Sequence, residues 1–144
     1  MKKLTIILLA LFSFSAYAQT VSDKGIIPES FNYGVLVECD GVSDFLVPDG
    51  EIRFHMVEHF DKKMDNPLGI KWSKNQVHGI LISEATGEVF KVHDINKGDL
   101  VKGTWVTHVR AIGDQGTVYI ITWHLTWTNP LEWPTVVNIT FKCV

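Results

Sequence analysis

Hydrophobic and polar side chains alternate along most of the chain after residue 30. Over residues 31–39 every odd-numbered position carries an apolar side chain or cysteine, and residues 137–143 repeat this pattern near the other end. A period of two is typical of a β-strand with one buried face. No strong helical pattern and no internal repeat accompany these segments. The alternation therefore predicts an all-β domain.

A tight turn at Gly113-Asp114-Gln115-Gly116 predicts the register of one hairpin. A three-residue loop that ends in a G1 bulge would pair Gly113 with Thr117. This register places apolar side chains on one side of both strands, whereas a two-residue loop would mix His108 and Arg110 among them. The predicted opposite pairs are Trp105 with Leu125, Thr107 with Trp123, Val109 with Ile121 and Ala111 with Tyr119.

A second turn, at residues 84–87, predicts a similar hairpin between two neighbouring apolar segments. By the same reasoning Ile82 would lie opposite Phe90, and Ile80 opposite Val92. His78 would then face Asp94 across the two strands and form an ion pair with it, which could also orient a catalytic imidazole.

Further strand candidates lie at residues 44–47, 51–60 and 69–73, separated by turns that contain proline, glycine or asparagine. Seven to nine short strands joined by tight turns predict a single antiparallel meander, folded as a small β-barrel or a β-sandwich. The expected division is a flexible lead over residues 19–30 and one β domain over residues 31–144.

The N-terminus has the features of a cleaved Sec signal peptide. Lys2 and Lys3 precede an apolar run over residues 4–14, and small residues stand at Ala16 and Ala18 before Gln19. The run is shorter than the roughly 20 residues that a membrane span needs. Residues 1–18 are therefore expected to be removed, leaving an exported periplasmic or secreted protein without a membrane anchor. The two lysines are compatible with a bacterial source.

Charge and composition narrow the classes of partner. The chain has 144 residues, 46% of them hydrophobic, and a formal charge of −3 that becomes −5 when the two signal-peptide lysines leave. An acidic chain without Lys/Arg runs is not expected to bind nucleic acid or an anionic membrane surface, since phosphate neutralisation dominates that affinity.

The two cysteines, Cys39 and Cys143, both lie in the exported part. An even number of cysteines in an oxidising compartment predicts a disulfide. Each cysteine occupies an odd-numbered position, so it points to the same side as the apolar residues of its own strand. We therefore expect a bridge between the first and last strands, which would favour a closed barrel over an open sandwich.

One short motif suggests metal chemistry. The string His55-Met56-Val57-Glu58-His59 resembles the H-x-x-E-H motif of inverted zinc peptidases, in these five residues alone. The resemblance implies a metal-dependent hydrolase in which both histidines bind the metal and Glu58 polarises its water. That geometry requires a helix, while the apolar spacing of residues 52–60 favours a strand. His108 and His124, diagonal neighbours in the predicted hairpin, are a second possible metal pair.

Aromatic side chains are the stronger functional lead. The residues concerned are Trp105, Tyr119, Trp123 and Trp127, which share one face of the predicted hairpin, and Trp133, which lies in a loop. Rings on the inner face would line an apolar pocket or fill the core, and a loop tryptophan could contact a sugar or a protein.

Catalytic motifs are otherwise missing from the sequence. It contains no nucleophile elbow, phosphate-binding loop or dinucleotide turn, and no cofactor is implied. The favoured hypothesis is a non-enzymatic exported binding protein for an apolar small molecule, a glycan or a protein. The alternatives are the hydrolase and a surface-interaction or structural module without a cavity. Partner and oligomeric state stay open.

Overall fold

The computed structural model describes residues 18–31, 33–61, 68–127 and 134–144. These residues form nine strands and one short 3-10 helix, Glu29–Phe31. Within them, no helix is long and apolar enough to span a membrane. The strands are β1 (Ala18–Ile26), β2 (Val35–Cys39), β3 (Val42–Pro48), β4 (Arg53–Asp61), β5 (Ile70–Ser83), β6 (Val89–Asp99), β7 (Thr104–Gly113), β8 (Val118–Thr126) and β9 (Thr135–Cys143).

All nine strands of the described part belong to one antiparallel sheet. The ladder runs in the order β1, β4, β5, β6, β7, β8, β9, so β4 to β9 form a meander. The long strand β5 is shared, because its first part pairs with β4 and its end pairs with β3. The β2–β3 hairpin therefore branches from the end of β5.

The predicted all-β class, the strand number and the antiparallel meander are confirmed. The closed barrel that the sequence favoured is wrong, because the described strands form one open sheet. No described ladder joins β2 to β9, although the two strands lie side by side. The sheet curls far enough to bring its ends together without closing.

A disulfide links the two ends of the sheet covalently. Cys39 at the end of β2 is bonded to Cys143 at the end of β9, with 6.1 Å between their Cα atoms. That separation lies within the usual range for a disulfide. The predicted bridge is therefore confirmed, but it joins the second strand to the last, because β1 precedes both.

β1 corrects the expectation of a flexible lead over residues 19–30. Residues 18–26 pair along their length with β4, from Ala18 opposite Asp61 to Ile26 opposite Arg53. Most side chains of β1 are exposed and polar on both faces, so the sequence carries no alternation there. Main-chain hydrogen bonds to β4 maintain this edge strand, and hydropathy alone cannot reveal such pairing.

The β7–β8 hairpin has the predicted register. Trp105 faces Leu125 and Ala111 faces Tyr119, while the amide of Gly113 donates to the carbonyl of Thr117 (2.7 Å). Gly116 has a φ of 99°, the left-handed conformation that a G1 bulge requires. Local turn chemistry therefore determines this hairpin.

The β5–β6 hairpin is offset by one residue from its predicted register. Leu81, rather than Ile82, faces Phe90, and Leu81 is fully buried. His78 consequently faces His93 instead of Asp94. The predicted ion pair of His78 with Asp94 is wrong, since a one-residue shift moves a side chain to the other face of the sheet.

The cause of the offset is a turn of four residues between Ser83 and Glu88. The amide of Gly87 donates to the carbonyl of Ser83 (2.9 Å), and the amide of Thr86 donates to the Ser83 hydroxyl (2.8 Å). That hydroxyl in turn donates to Asp44 in β3 (2.6 Å). A contact from a distant strand thus helps to select the longer turn.

The core lies on one face of the curled sheet, which we call the inner face; the opposite side is the outer face. Buried side chains from six strands and one connecting segment meet there, so the inner face is concave and the outer face convex. The core residues are Val35, Val37, Leu46, Ile52, Val77, Leu81, Phe90, Val92, Val109, Ala111 and Ile121.

Candidate functional site

A cavity of about 430 Å³ opens on the inner face beside the core. Its volume falls within the range of small-molecule sites, which are mostly apolar with a few polar groups. The wall is mainly aliphatic and aromatic, and three of its residues are tryptophans. The lining residues are Glu58, Leu68, Ile70, Ser73, Leu100, Trp105, Thr107, Trp123, Leu125, Trp127 and Pro134.

Three tryptophans form the aromatic wall of this cavity, which we call the tryptophan pocket. Trp105 comes from β7, Trp123 from β8, and Trp127 follows the end of β8. The rings of Trp105 and Trp127 lie 6.1 Å apart between centroids and are tilted by 46°. This distance is typical of an aromatic pair. The prediction that these three residues share one face is confirmed.

The indole of Trp105 lies against the backbone of Gly98, its direct partner on β6. A Cβ atom at position 98 would overlap the six-membered ring of Trp105. Glycine in the middle of a strand often marks such a close approach. The ring is also held through its Nε1–H, which donates to Asn96 Oδ1 (3.4 Å).

Glu58 is the one ionisable side chain in the wall of the tryptophan pocket, among the described residues. It lies on β4 opposite Ser73 of β5. No hydrogen bond or ion pair joins its carboxylate to another described residue, and burial raises its pKa. A carboxylate in apolar surroundings without a partner favours a positively charged neighbour.

Two indole N–H groups of the pocket residues also lack partners. Trp123 Nε1 and Trp127 Nε1 are buried and have no hydrogen bond within the described part of the chain. A buried donor without an acceptor costs on the order of 1–3 kcal/mol. Both nitrogen atoms are shielded by the surrounding residues, so the pocket is lined by the indole rings and not by their N–H groups.

A buried polar cluster adjoins the pocket. The Tyr33 hydroxyl donates to Asp94 (3.2 Å), and the Thr107 hydroxyl donates to Asn96 (2.5 Å). Burial raises the pKa of Asp94 to about 6, and hydrogen bonds from Asn96 and Tyr33 offset part of that rise. A smaller cavity of about 270 Å³ lies against this cluster and shares Thr107 and Trp123 with the tryptophan pocket.

Of the five predicted ligand-binding residues, one lies away from the pocket wall and another lies outside the described residues. Tyr119 stacks on Phe90 with 5.3 Å between centroids and packs against the core, so it is separate from the pocket wall. Trp133 lies outside the described residues. The remaining three, Trp105, Trp123 and Trp127, are brought together.

The H-x-x-E-H motif lies on strand β4, so the helix that the zinc peptidase geometry requires is not formed. His55 bonds to Ser22 (2.8 Å) and His59 to Thr20 (3.1 Å), both on the outer face. Four residues along a strand separate the two histidines by about 13 Å. Glu58 points to the other face, because neighbouring strand positions alternate.

His108 and His124 also lie on the outer face, on the neighbouring strands β7 and β8. His108 bonds to Thr122 (2.9 Å), the residue directly opposite it on β8. Within the described residues, no group of three or more histidine, cysteine or acidic side chains is arranged to hold a metal ion.

Sequence reasoning missed the contribution of Glu58, Ser73 and Thr107 to the tryptophan pocket. Glu58 was singled out only as a catalytic base. One signal was present: Phe54, Met56, Glu58 and Phe60 share one parity on β4. That alternation places Glu58 on the inner face.

Comparison with known proteins adds no relative to this picture. The chain matches no family model, and neither curated proteins nor solved structures show significant similarity to it.

Proposed function

We propose that this protein is a non-enzymatic binding protein whose tryptophan pocket takes a small molecule with an apolar body and a positively charged group. The observation that carries the proposal is a cavity of about 430 Å³ walled by three tryptophans and containing one carboxylate. Apolar walls supply affinity, and a few polar groups fix the orientation of a ligand.

The apolar part of the ligand is expected to contact Trp105, Trp123 and Trp127. Indole rings offer a large contact area with little loss of side-chain freedom, and they attract cations over their faces. Leu100 and Leu125 complete the apolar wall. A flat or branched apolar group therefore suits this site better than a polar sugar chain.

The charged part of the ligand is expected to contact Glu58. Its carboxylate has no partner among the described residues and is partly withdrawn from water. A ligand ammonium would stabilise the ionised form and be attracted by the neighbouring indole faces. Aromatic rings that surround an ammonium group beside an acid are an established solution for cation recognition.

The site of action is proposed to be the periplasm or the extracellular medium of a bacterium. The disulfide supports an oxidising, exported environment. The N-terminal sequence pattern supports export through the Sec pathway.

A neutral fluorescent probe tests the binding proposal. N-phenyl-naphthylamine brightens when it enters an apolar cavity, so the wild-type protein is expected to give a saturable signal. Trp127→Ala should weaken binding by about 5- to 30-fold, because a lost aromatic contact costs on the order of 1–2 kcal/mol. Trp72→Ala is the matched control, since Trp72 lies on the outer face. An equal response of both variants to the probe would overturn the proposal.

A further inference from the structure

The outer face of the sheet concentrates the positive charge of an otherwise acidic chain. Seven of its lysine and arginine side chains come from six different strands, and the six histidines of the chain also lie there. The carboxylates placed on this side by strand register or by contact are Asp61 and Asp99 at one end, Glu38 on β2, and Glu51, which bonds to Arg53. The face thus has a clear positive excess, while the whole chain has a formal charge of −3.

A row of four basic side chains crosses the centre of this face. Arg53 of β4 faces His78 of β5, His78 faces His93 of β6, and His93 faces Arg110 of β7. Neighbouring strands lie about 4.8 Å apart, so the row is about 14 Å long. We call these four residues the basic row.

The two central histidines of the basic row stack closely. Their ring centroids are 4.3 Å apart and the rings are inclined by 20°. Burial and the positive charge of His78 lower the pKa of His93. When both rings are protonated, like charges lie opposite each other in the sheet, and this is destabilising. An anion across the two rings would remove the repulsion.

Further lysines surround the basic row. Lys91 lies two residues before His93 on β6, Lys24 lies opposite His55 on β1, and Lys142 lies on β9. Arg53 is also bonded to Glu51 (3.2 Å), with both side chains largely exposed. Exposed pairs of this kind contribute little energy, so Arg53 stays accessible to another anion.

We propose that the outer face binds a linear anionic polysaccharide, which lies across the strands along the basic row. The charge complementarity is the primary argument. The shape of the face is the second, because a flexible chain can follow a convex surface that a flat bilayer would touch only along a strip. This site lies on the opposite side of the sheet from the tryptophan pocket and does not depend on it.

Binding should strengthen as the histidines gain protons. The charged and titratable groups that face His78 and His93 from the packed strands are Arg53, His55, Lys91, His108 and Arg110, and the carboxylate of Glu51 bonds to Arg53 (3.2 Å). Histidine is the side chain whose charge changes between about pH 5 and pH 8. Each proton taken up adds one more charge for the polyanion.

Titration of labelled dextran sulfate, with uncharged dextran as the blank, tests the proposal. If about four cations contact the chain, Kd should rise about 50-fold between about 50 and 200 mM salt, by the relation for flexible polyanions. The double variant Arg53→Gln/Arg110→Gln should bind more weakly, and its salt effect should fall to about sevenfold. Both side chains are exposed, so the variant is expected to fold.

A matched control removes the same charge elsewhere. Lys71→Gln/Lys102→Gln takes two exposed cations from one end of the sheet, away from the basic row, where Lys102 pairs with Asp99 (3.5 Å). It should keep the wild-type salt dependence, and an equal loss in both double variants would overturn the proposal by showing that only net charge matters.

Two further experiments test the role of the histidines and the type of polyanion that binds. His78→Gln/His93→Gln should remove part of the gain in dextran sulfate affinity between about pH 7.5 and pH 5.5, because the other four histidines of the face keep their own protonation. Vesicles of phosphatidylglycerol in phosphatidylcholine, and a single-stranded oligonucleotide, should bind more weakly than dextran sulfate at equal charge. Tighter binding to either, or a pH effect unchanged in the histidine variant, would contradict the assignment.

Discussion

Gly98 and Trp105 face each other on β6 and β7, and the indole ring occupies the space that a side chain at position 98 would need. Gly98 is buried. The glycine therefore determines the position of one wall of the tryptophan pocket. Gly98 thus belongs to the candidate site, although it has no side chain, because it leaves room for the Trp105 ring.

Gly98→Ala should displace the Trp105 ring. Overpacking of this kind costs about 1–3 kcal/mol of unfolding free energy, measured by urea denaturation. The affinity for N-phenyl-naphthylamine should also fall. In a Trp105→Leu background the same alanine should cost clearly less. If the cost is the same in both backgrounds, the contact between the two residues is not the cause.

Removal of the disulfide should lower the stability substantially. The bridge joins residues 104 positions apart, and chain entropy predicts a loss of about 4–5 kcal/mol, with about 2–5 kcal/mol usually measured. Cys39→Ser/Cys143→Ser should unfold at lower urea concentration than the oxidised wild type. A reducing agent should shift the wild type to the same midpoint and leave the variant unchanged. A wild type insensitive to reduction would contradict the prediction.

Asp94 should make the protein less stable as the pH rises. Its pKa is about 6 in the folded state, above the ordinary value of 3.8. The folded state therefore binds the proton more tightly, and stability falls with rising pH between about 4 and 6. A difference of about two pKa units corresponds to about 3 kcal/mol.

Asp94→Asn removes that titration and tests the assignment. The variant should be more stable than the wild type at neutral pH by up to about 3 kcal/mol, and the two should converge near pH 4. Urea denaturation at several pH values measures the difference. Parallel pH curves for both proteins would show that another group is responsible.

Glu88 should stabilise the adjacent β7–β8 turn. Its buried carboxylate accepts hydrogen bonds from the amides of Gln115 (3.1 Å) and Thr117 (3.3 Å). Glu88→Ala leaves these amides without their acceptor and should cost about 1–3 kcal/mol in urea denaturation. Glu84→Ala, at an exposed position of the neighbouring turn, is the control and should stay within about 0.5 kcal/mol of wild type. Equal costs would argue against a specific role.

Sequence reasoning succeeded where the chemistry was local. The β7–β8 register follows from a turn whose glycine at position 116 adopts a positive φ, and the shared face of Trp105 and Trp123 follows from that register. The β5–β6 register could not be derived in this way. There the Ser83 hydroxyl, bonded to Asp44 from another strand, helps to stabilise a turn one residue longer.

The remaining features depend on which strands become neighbours. Glu58 reaches the tryptophan pocket because the curled sheet brings β4 and β5 together with β7 and β8 around one cavity. The basic row draws one residue from each of four strands, so its charges are never adjacent in the sequence. The net charge of the chain does not say where the charges lie, so it could not predict that the cations collect on one face.

The most direct test of the central claim compares a cation with its neutral isostere. Para-hydroxyphenyl-trimethylammonium and para-tert-butylphenol have nearly the same shape and differ in charge. The account predicts that calorimetric titration finds the cation bound at least about tenfold more tightly, and that Glu58→Gln removes most of this preference while still binding the phenol. Equal affinity of the wild type for both compounds, or binding of neither, would contradict the account.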